Sequence, residues 1–341
     1  MKELEPQLFS NEKLIADTSE NFKLLQQRYN LDKDKCIPFI GAGLSKPTGI
    51  NGWYELLISM IEKFELQDKQ TLIKDLDNNL YMETASRIYA QIEEKEYFDF
   101  LNLQFIQNST LTTSTIIKIV SLFKAIITTN YDTTIENAFK TIEFIKTGKS
   151  TKTYNIQYLP KFDTFNFVGK NNVVYLHGYT NKSHYLLRKE DYEYFYPSIS
   201  KKEDAVKMLE EFLKANIQKN CLIFFGFSFE DEYFYEFVKF LINEKKIEKE
   251  RNQKFGFGNY EDEDIEHFSF IKLKNDSKKE NLIHNNSLHN KLKEINIKPI
   301  YYEKNHAELE EKFLDEIPNF KNSLEIINDD LEKGFPSVPG Q

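Results

Sequence analysis

The 341-residue chain is 40% hydrophobic, carries a net charge of −9 and holds two cysteines. That apolar content can fill a core and excludes a disordered chain, and the length suits two domains of ~150 residues or one large α/β domain with an insertion. The acidic balance argues against nucleic acid as a direct partner, because phosphate is met by a basic surface.

Cys36 and Cys221 are far apart in sequence and each begins an apolar run, so they read as reduced core residues rather than a disulfide framework. The N-terminus, MKELEPQLFSNEKL, is too charged for a signal peptide. No apolar stretch approaches the ~18 residues of a membrane span, so a cytoplasmic protein without membrane association is expected.

In chain order, residues 1–35 form an N-terminal helical segment with Phe22, Leu24, Leu25 and Tyr29 as its apolar positions. A strand is expected at 36–40, then a glycine turn and a helix carrying Trp53, Leu56, Leu57, Met60 and Ile61. Residues 65–122 have a period near 3.6 (Leu72, Leu76, Leu80; Ile88, Tyr89, Ile92) and read as a helical insertion. KAIITTNYD (124–132) is a second strand leading into a helix. The segment 143–171, with EFIKTG, YNIQYL and FNFVGK, reads as short strands and loops.

Further along, VVYL (173–176) and LIFFGF (222–227) are strands, and HFSFIKLK (267–274) and about 297–302 add two more. Between them lie a short helix stopped at Pro197, a helix at about 202–217, and another running to about 243. The charged runs NEKKIEKERNQK and GNYEDEDIE read as a solvated helix end and a loop. HAELEEKFLDEI is the last helix, and the tail 321–341 is expected to fray. This alternation predicts an α/β fold, a Rossmann-like doubly wound and mostly parallel sheet with a helical insertion.

Four of these strands end in small or polar clusters, and open parallel sheets bind ligands at the carboxyl ends of their strands. Gly41, Ala42, Gly43, Leu44 and Ser45 close the first. Glycine there permits a tight turn and brings backbone N–H groups up to a pyrophosphate, although such a turn also serves plain strand–helix packing. Thr128-Thr129-Asn130-Tyr131-Asp132 closes the second. Asn130 offers a donor and an acceptor to a ribose hydroxyl or water, and Asp132 is placed to cap the next helix. His177-Gly178 follows VVYL, and a histidine at a strand end suits either a general base or a structural role. In Gly226-Phe227-Ser228-Phe229-Glu230-Asp231, Gly226 allows close approach, and Ser228 suits either a ribose or phosphate oxygen or a helix N-cap. The histidines have no metal-ligand spacing, so no metal is expected.

GAGLS, TTNYD, LHG and GFSFED in this order resemble the sirtuin (Sir2) superfamily, and above all its bacterial antiphage-defence branch. The resemblance covers roughly residues 36–315. Gly49-Ile50-Asn51-Gly52-Trp53 follows that branch's G-x-P-x-W with Asn51 in the proline position. The T-x-N-x-D, HG and G-x-S-x-x-D elements fall on Thr128, Asn130 and Asp132, on His177 and Gly178, and on Gly226, Ser228 and Asp231. The four-cysteine zinc module and G-x-x-D-F-R loop of deacetylase sirtuins are missing.

The resemblance implies a Sir2-like NAD-binding catalytic domain over 36–320 that hydrolyses NAD⁺ to nicotinamide and ADP-ribose, as the effector of an abortive-infection defence. Asn130 and His177 would be catalytic. Gly41, Ala42, Gly43 and Ser45 would hold the pyrophosphate and neighbouring ribose, with Thr129 and Asp132 beside them. Gly226 and Ser228 would contact the adenosine half. It also implies gating by self-assembly or by a partner: an ATPase, an Argonaute-like protein or a nucleotide sensor. FYEFVKF (234–240) and DYEYFY (191–196) are candidate partner surfaces, or else core. An NAD⁺- or ADP-ribose-binding sensor subunit is the competing class, with a zinc-free deacylase or ADP-ribosyltransferase behind it.

Overall fold

All four apolar runs are strands buried along their whole length, and side chains alternate between two cores. In the computed structural model, which describes residues 8–107, 111–149, 154–159, 171–182, 184–196, 204–255 and 265–317, the chain opens with α1 (Asn11–Ile15), α2 (Thr18–Leu31) and β1 (Cys36–Ile40). Then come α3 (Trp53–Lys63), α4 (Lys69–Asp77), α5 (Tyr81–Tyr89), α6 (Glu94–Gln107) and α7 (Ser114–Leu122). The middle holds β2 (Ala125–Thr128), α8 (Thr134–Thr147), β3 (Asn155–Tyr158), β4 (Asn172–Tyr175), a two-stranded antiparallel pair β5 (Gly178–Tyr179) and β6 (His184–Tyr185), and α9 (Lys189–Phe195). Last come α10 (Asp204–Lys219), β7 (Cys221–Phe225), α11 (Glu232–Phe255), β8 (His267–Lys272), α12 (Lys279–Glu294), β9 (Ile297–Tyr302) and α13 (His306–Lys312).

The main sheet has seven strands in the order β3-β4-β2-β1-β7-β8-β9. Every pairing in it is parallel. The fold is therefore the expected α/β, Rossmann-like arrangement. From β1 the chain goes to β2, on to β3 at the sheet edge and back to β4 between them, then crosses to place β7 on the other side of β1. The β1/β7 boundary is thus the topological switch point, where α/β sheets open a crevice at their carboxyl edge.

Period-two alternation assigns each strand to both layers. Ile37 and Phe39 of β1 and Leu222 and Phe224 of β7 face a core with α9, α10, α11 and α12. Cys36, Ile40, Cys221, Ile223 and Phe225 face the opposite core with α2, α7, α8 and α13. The two cysteines are register partners on neighbouring strands, both buried. Pro38 has no N–H to give, and the β1–β2 ladder begins just past it, at Phe39. A third core lies outside the sheet, where Ile50, Leu57, Met60, Leu72, Leu76, Ile88, Phe100 and Leu101 of the helical region pack on one another and on Tyr131, Tyr185 and Leu187.

Several local expectations change. Residues 143–147 are not strand or loop but the end of α8, which runs on until Gly148 takes a left-handed backbone at φ +68°. The charged run after residue 243 extends α11 to Phe255, as Lys- and Glu-rich sequence favours. Leu80 is not in the apolar row of Leu72 and Leu76 but sits exposed ahead of α5. The two aromatic segments considered as partner surfaces are mostly core: Tyr192, Phe195, Tyr196, Phe234, Tyr235 and Phe237 are all buried, although Tyr194 is exposed. FNFVGK, Pro197, most of the acidic run and the tail lie outside the described residues. Among the described residues no helix is long and apolar enough to cross a membrane.

Candidate active site

A cavity of about 660 Å³ opens over the carboxyl ends of β1, β2, β4 and β7. Its floor comes from the four strand-end clusters: Ala42 and Gly43, Thr129 to Asp132, His177, and Gly226 to Ser228. Its facing wall comes from the helical region, with Trp53, Tyr81, Met82 and Phe105. Lys46, Glu55, Asp231 and Lys291 bring charge to it. The size and the apolar wall with a few polar groups suit a small-molecule ligand.

At the switch point, three glycines let two backbones touch. Gly41 N–H donates to the Phe225 carbonyl and Gly43 N–H to the Gly226 carbonyl, each at 2.9 Å. A Cβ on Gly41 would lie 2.5 Å from the Gly226 oxygen, and one on Gly226, at φ +60°, would lie 2.6 Å from the Leu44 nitrogen. These glycine N–H groups hold the two turns together, and Ala42 is the exposed residue of the first turn. Beyond Gly226, Phe229 adopts φ +54° while fully buried among Phe224 and Phe227. A bulky residue in that region is strained, and the aromatic packing holds it there.

The β2 turn is tied to the β1 turn by side chains. Asn130 Nδ2 donates to the Gly41 carbonyl at 3.3 Å and to Ser45 Oγ at 3.0 Å. Those two bonds fix the amide so that Asn130 Oδ1, buried, has no hydrogen-bond partner among the described residues. A buried acceptor left bare is costly, and one at a cavity is a place for a ligand hydroxyl or water. Ser45 is wholly buried, also contacts Thr134 Oγ1 at 3.2 Å, and does not line the cavity. Asp132 Oδ1 accepts from Thr134 N–H at 2.9 Å, so it caps the entry to α8 while also bordering the cavity. Burial pushes its carboxyl up, opposed by hydrogen bonds from Thr134 and Ser45.

His177 is buried at the far corner of the cavity. Its Nε2 lies 2.8 Å from the Tyr196 hydroxyl and its Nδ1 3.2 Å from that of Tyr192. Burial lowers the imidazole to about 3, so it is neutral near pH 7. Asp231, whose Oδ2 is 4.0 Å from Nε2, is pushed by burial up to about 6. Asp231 also caps α11, accepting the Phe234 N–H at 3.0 Å. That cap leaves Ser228 exposed on the cavity rim, where among the described residues its Oγ accepts only a long 3.4 Å contact from Glu230 N–H.

The structure thus gathers Ala42, Gly43, Thr129, Asn130, Asp132, His177, Gly226 and Ser228 on one cavity and puts Gly41 and Ser45 beneath it. Sequence reading placed Tyr192 and Tyr196 in a candidate partner surface and Asp231 in the G-x-S-x-x-D element, and gave none of the three a role in the site. The i,i+4 spacing of the two tyrosines was the available signal, because it turns both toward one face. Among the described residues no group of three or more His, Cys, Asp or Glu side chains could hold a metal.

No curated protein matches this chain. The SIR2-like domain family matches residues 124–300, which carry β2 to β8, the first part of β9 and three of the four strand-end clusters. The fourth, at Gly41 to Ser45, precedes that span, yet β1 is hydrogen-bonded between two of its strands. With just over half the sequence matched and the remaining cluster built into the same sheet edge, the chain belongs to the SIR2-like domain family, an NAD-related superfamily.

Proposed function

We propose that the cavity binds NAD⁺ and hydrolyses it to nicotinamide and ADP-ribose. The observation that carries this reading is the bare Asn130 Oδ1, buried beside the switch-point turn on the same cavity as His177. A nicotinamide ribose hydroxyl or the attacking water would supply the missing donor. The C1′–N bond then breaks with its electron pair going to nicotinamide, and positive charge develops on the ribose. Asp231 and Asp132 on the cavity surface favour that charge. The helical wall, with Trp53 and Tyr81, keeps out stray water until one molecule attacks C1′ and passes its proton to the neutral His177 imidazole, which later gives it to solvent. Ala42 and Gly43, with Lys46 beside them, would meet the diphosphate; Thr129 lies next to them, and Gly226 and Ser228 line the adenosine end. Gly41 and Ser45 act on this site from beneath, by holding the turn and Asn130.

An NADase of this kind serves as the effector of an antiphage defence, acting in the cytoplasm and gated by a partner or by oligomerisation. The sequence resemblance supports this, and the partner classes are an ATPase, an Argonaute-like protein or a nucleotide sensor. A second reading, an NAD⁺- or ADP-ribose-binding sensor, is favoured by one observation: both His177 nitrogens are already bonded. Nicotinamide release by the purified protein over a concentration series separates the two. Release that is lost in His177→Ala supports the hydrolase, and a steep concentration dependence supports self-assembly. Saturable NAD⁺ binding with no release, even beside the products of neighbouring genes, supports the sensor.

A further inference from the structure

A second cavity, of about 510 Å³, lies at the opposite edge of the sheet from the first. Ile265 and His267 stand at the start of β8, Asn296 just ahead of β9, and Ile217 near the end of α10, so it sits at the amino ends of the strands. Its other side is α11, which brings Lys245, Lys246 and Lys249 to it. Three ammonium groups gathered at one cavity run against the −9 charge of the chain. Lys245 and Lys249 are one turn apart on the helix, where like charges repel. Among the described residues Lys245 and Lys246 have no hydrogen bond and no ion pair. Two carboxylates also line the cavity. Glu294 is already held by Lys239 at 2.6 Å and by the Tyr235 hydroxyl at 2.7 Å, which leaves Glu250 against three lysines.

The rest of the lining is apolar or offers amides. Ile217 and Ile242 belong to one core of the sheet and Ile265 to the other, and together they form an aliphatic floor. His267 is buried beside them, and its Nδ1 accepts the Leu222 N–H at 3.2 Å, which ties the floor to β7. The side-chain amides of Asn243 and Asn296 also border the cavity and have no hydrogen bond among the described residues. An aliphatic floor, open amides and clustered ammonium groups are what a base, its polar edge and its phosphates require. We propose that this cavity binds a phosphate-bearing nucleotide, with the phosphates on Lys245, Lys246 and Lys249 and the base on the isoleucine floor. The site is one for an effector rather than for the substrate of the first cavity, because the sheet lies between the two. One helix reaches both: Asp231 caps α11 beside the first cavity, and Lys245 follows about 20 Å further along it. The assignment stands whether or not the first cavity hydrolyses NAD⁺.

The test is calorimetric titration of the full chain with ATP, inorganic triphosphate and adenosine. ATP should bind saturably, and triphosphate and adenosine each on the order of tenfold more weakly or worse. Lys245→Ala combined with Lys246→Ala should weaken ATP on the order of tenfold or more. Lys246→Glu, on an exposed side chain, should weaken it in the same direction and is available should the double variant fail to fold. Lys46→Ala, on the first cavity, should leave ATP affinity within about twofold, and so should saturating NAD⁺ added to His177→Ala. The absence of saturable ATP binding, or ATP binding that survives both lysine variants, would overturn the proposal. So would ATP binding abolished by Lys46→Ala or by NAD⁺, which would put the nucleotide in the first cavity. Triphosphate binding as tightly as ATP would take the base out of the site and overturn the nucleotide assignment.

Discussion

The two ends of the cavity are built from different materials. At the switch point the signature residues are glycines whose backbones touch, and their N–H groups are used by each other. At the His177 corner they are titratable side chains held in burial by tyrosines. The difference teaches that a motif residue can matter for shape at one end of a site and for charge at the other. Substitutions at the first should move stability, and at the second turnover.

The largest effect is expected at the glycine seam. Gly226→Ala must place a Cβ 2.6 Å from the Leu44 nitrogen at φ +60°. A loss of about 3–5 kcal/mol in urea unfolding is expected. Near-native stability would mean the two turns are free to separate, and the comparison would collapse. At the other end, His177→Ala should keep its unfolding midpoint within a few degrees yet release nicotinamide ~10²-fold more slowly or worse. If turnover survives, the histidine is only part of the wall.

Asp231 sharpens the contrast, because its charge acts against the fold. With its carboxyl pushed up to about 6 from 3.8, the folded chain binds that proton more tightly than the unfolded one. Wild-type stability therefore falls as pH rises through that window, and Asn, which has no proton to lose, escapes the fall. The advantage of Asp231→Asn should open from about pH 4 to about pH 6 and level off near about 2 kcal/mol, discounted for the partial exposure of the side chain. A constant difference across the range would show that Asp231 is not held in that state.

The smallest effects come from two serines that look alike in sequence. Ser45→Ala removes a buried hydroxyl shared by Asn130 and Thr134 and should cost about 1–2 kcal/mol. Ser228→Ala, on the exposed rim, should shift stability by less than about 0.5 kcal/mol and show itself only in NAD⁺ affinity.

That pair also shows where sequence reading stops. The strands were legible because runs such as CIPFI and CLIFF are buried on both faces of a parallel sheet. The strand-end clusters were legible because a parallel sheet gathers them at one edge. Nothing local to GAGLS says that Ser45 turns under the floor while Ala42 faces the cavity, since that depends on contact with Asn130, 85 residues away. Asp231 was part of a recognisable cluster, but its approach to His177, 4.0 Å at Nε2, joins two strand ends that are far apart in sequence. The extent of α8 was misread because its exposed face carries Phe144, and an apolar residue there resembles a strand.

The most direct measurement is a crystal structure of His177→Ala with NAD⁺. The account predicts the nicotinamide ribose within hydrogen-bond distance of Asn130 Oδ1 and the diphosphate over the turn at Ala42 and Gly43. An NAD⁺ bound with its adenine at the Asn130 corner, or a cavity that stays empty at saturating NAD⁺, would contradict it.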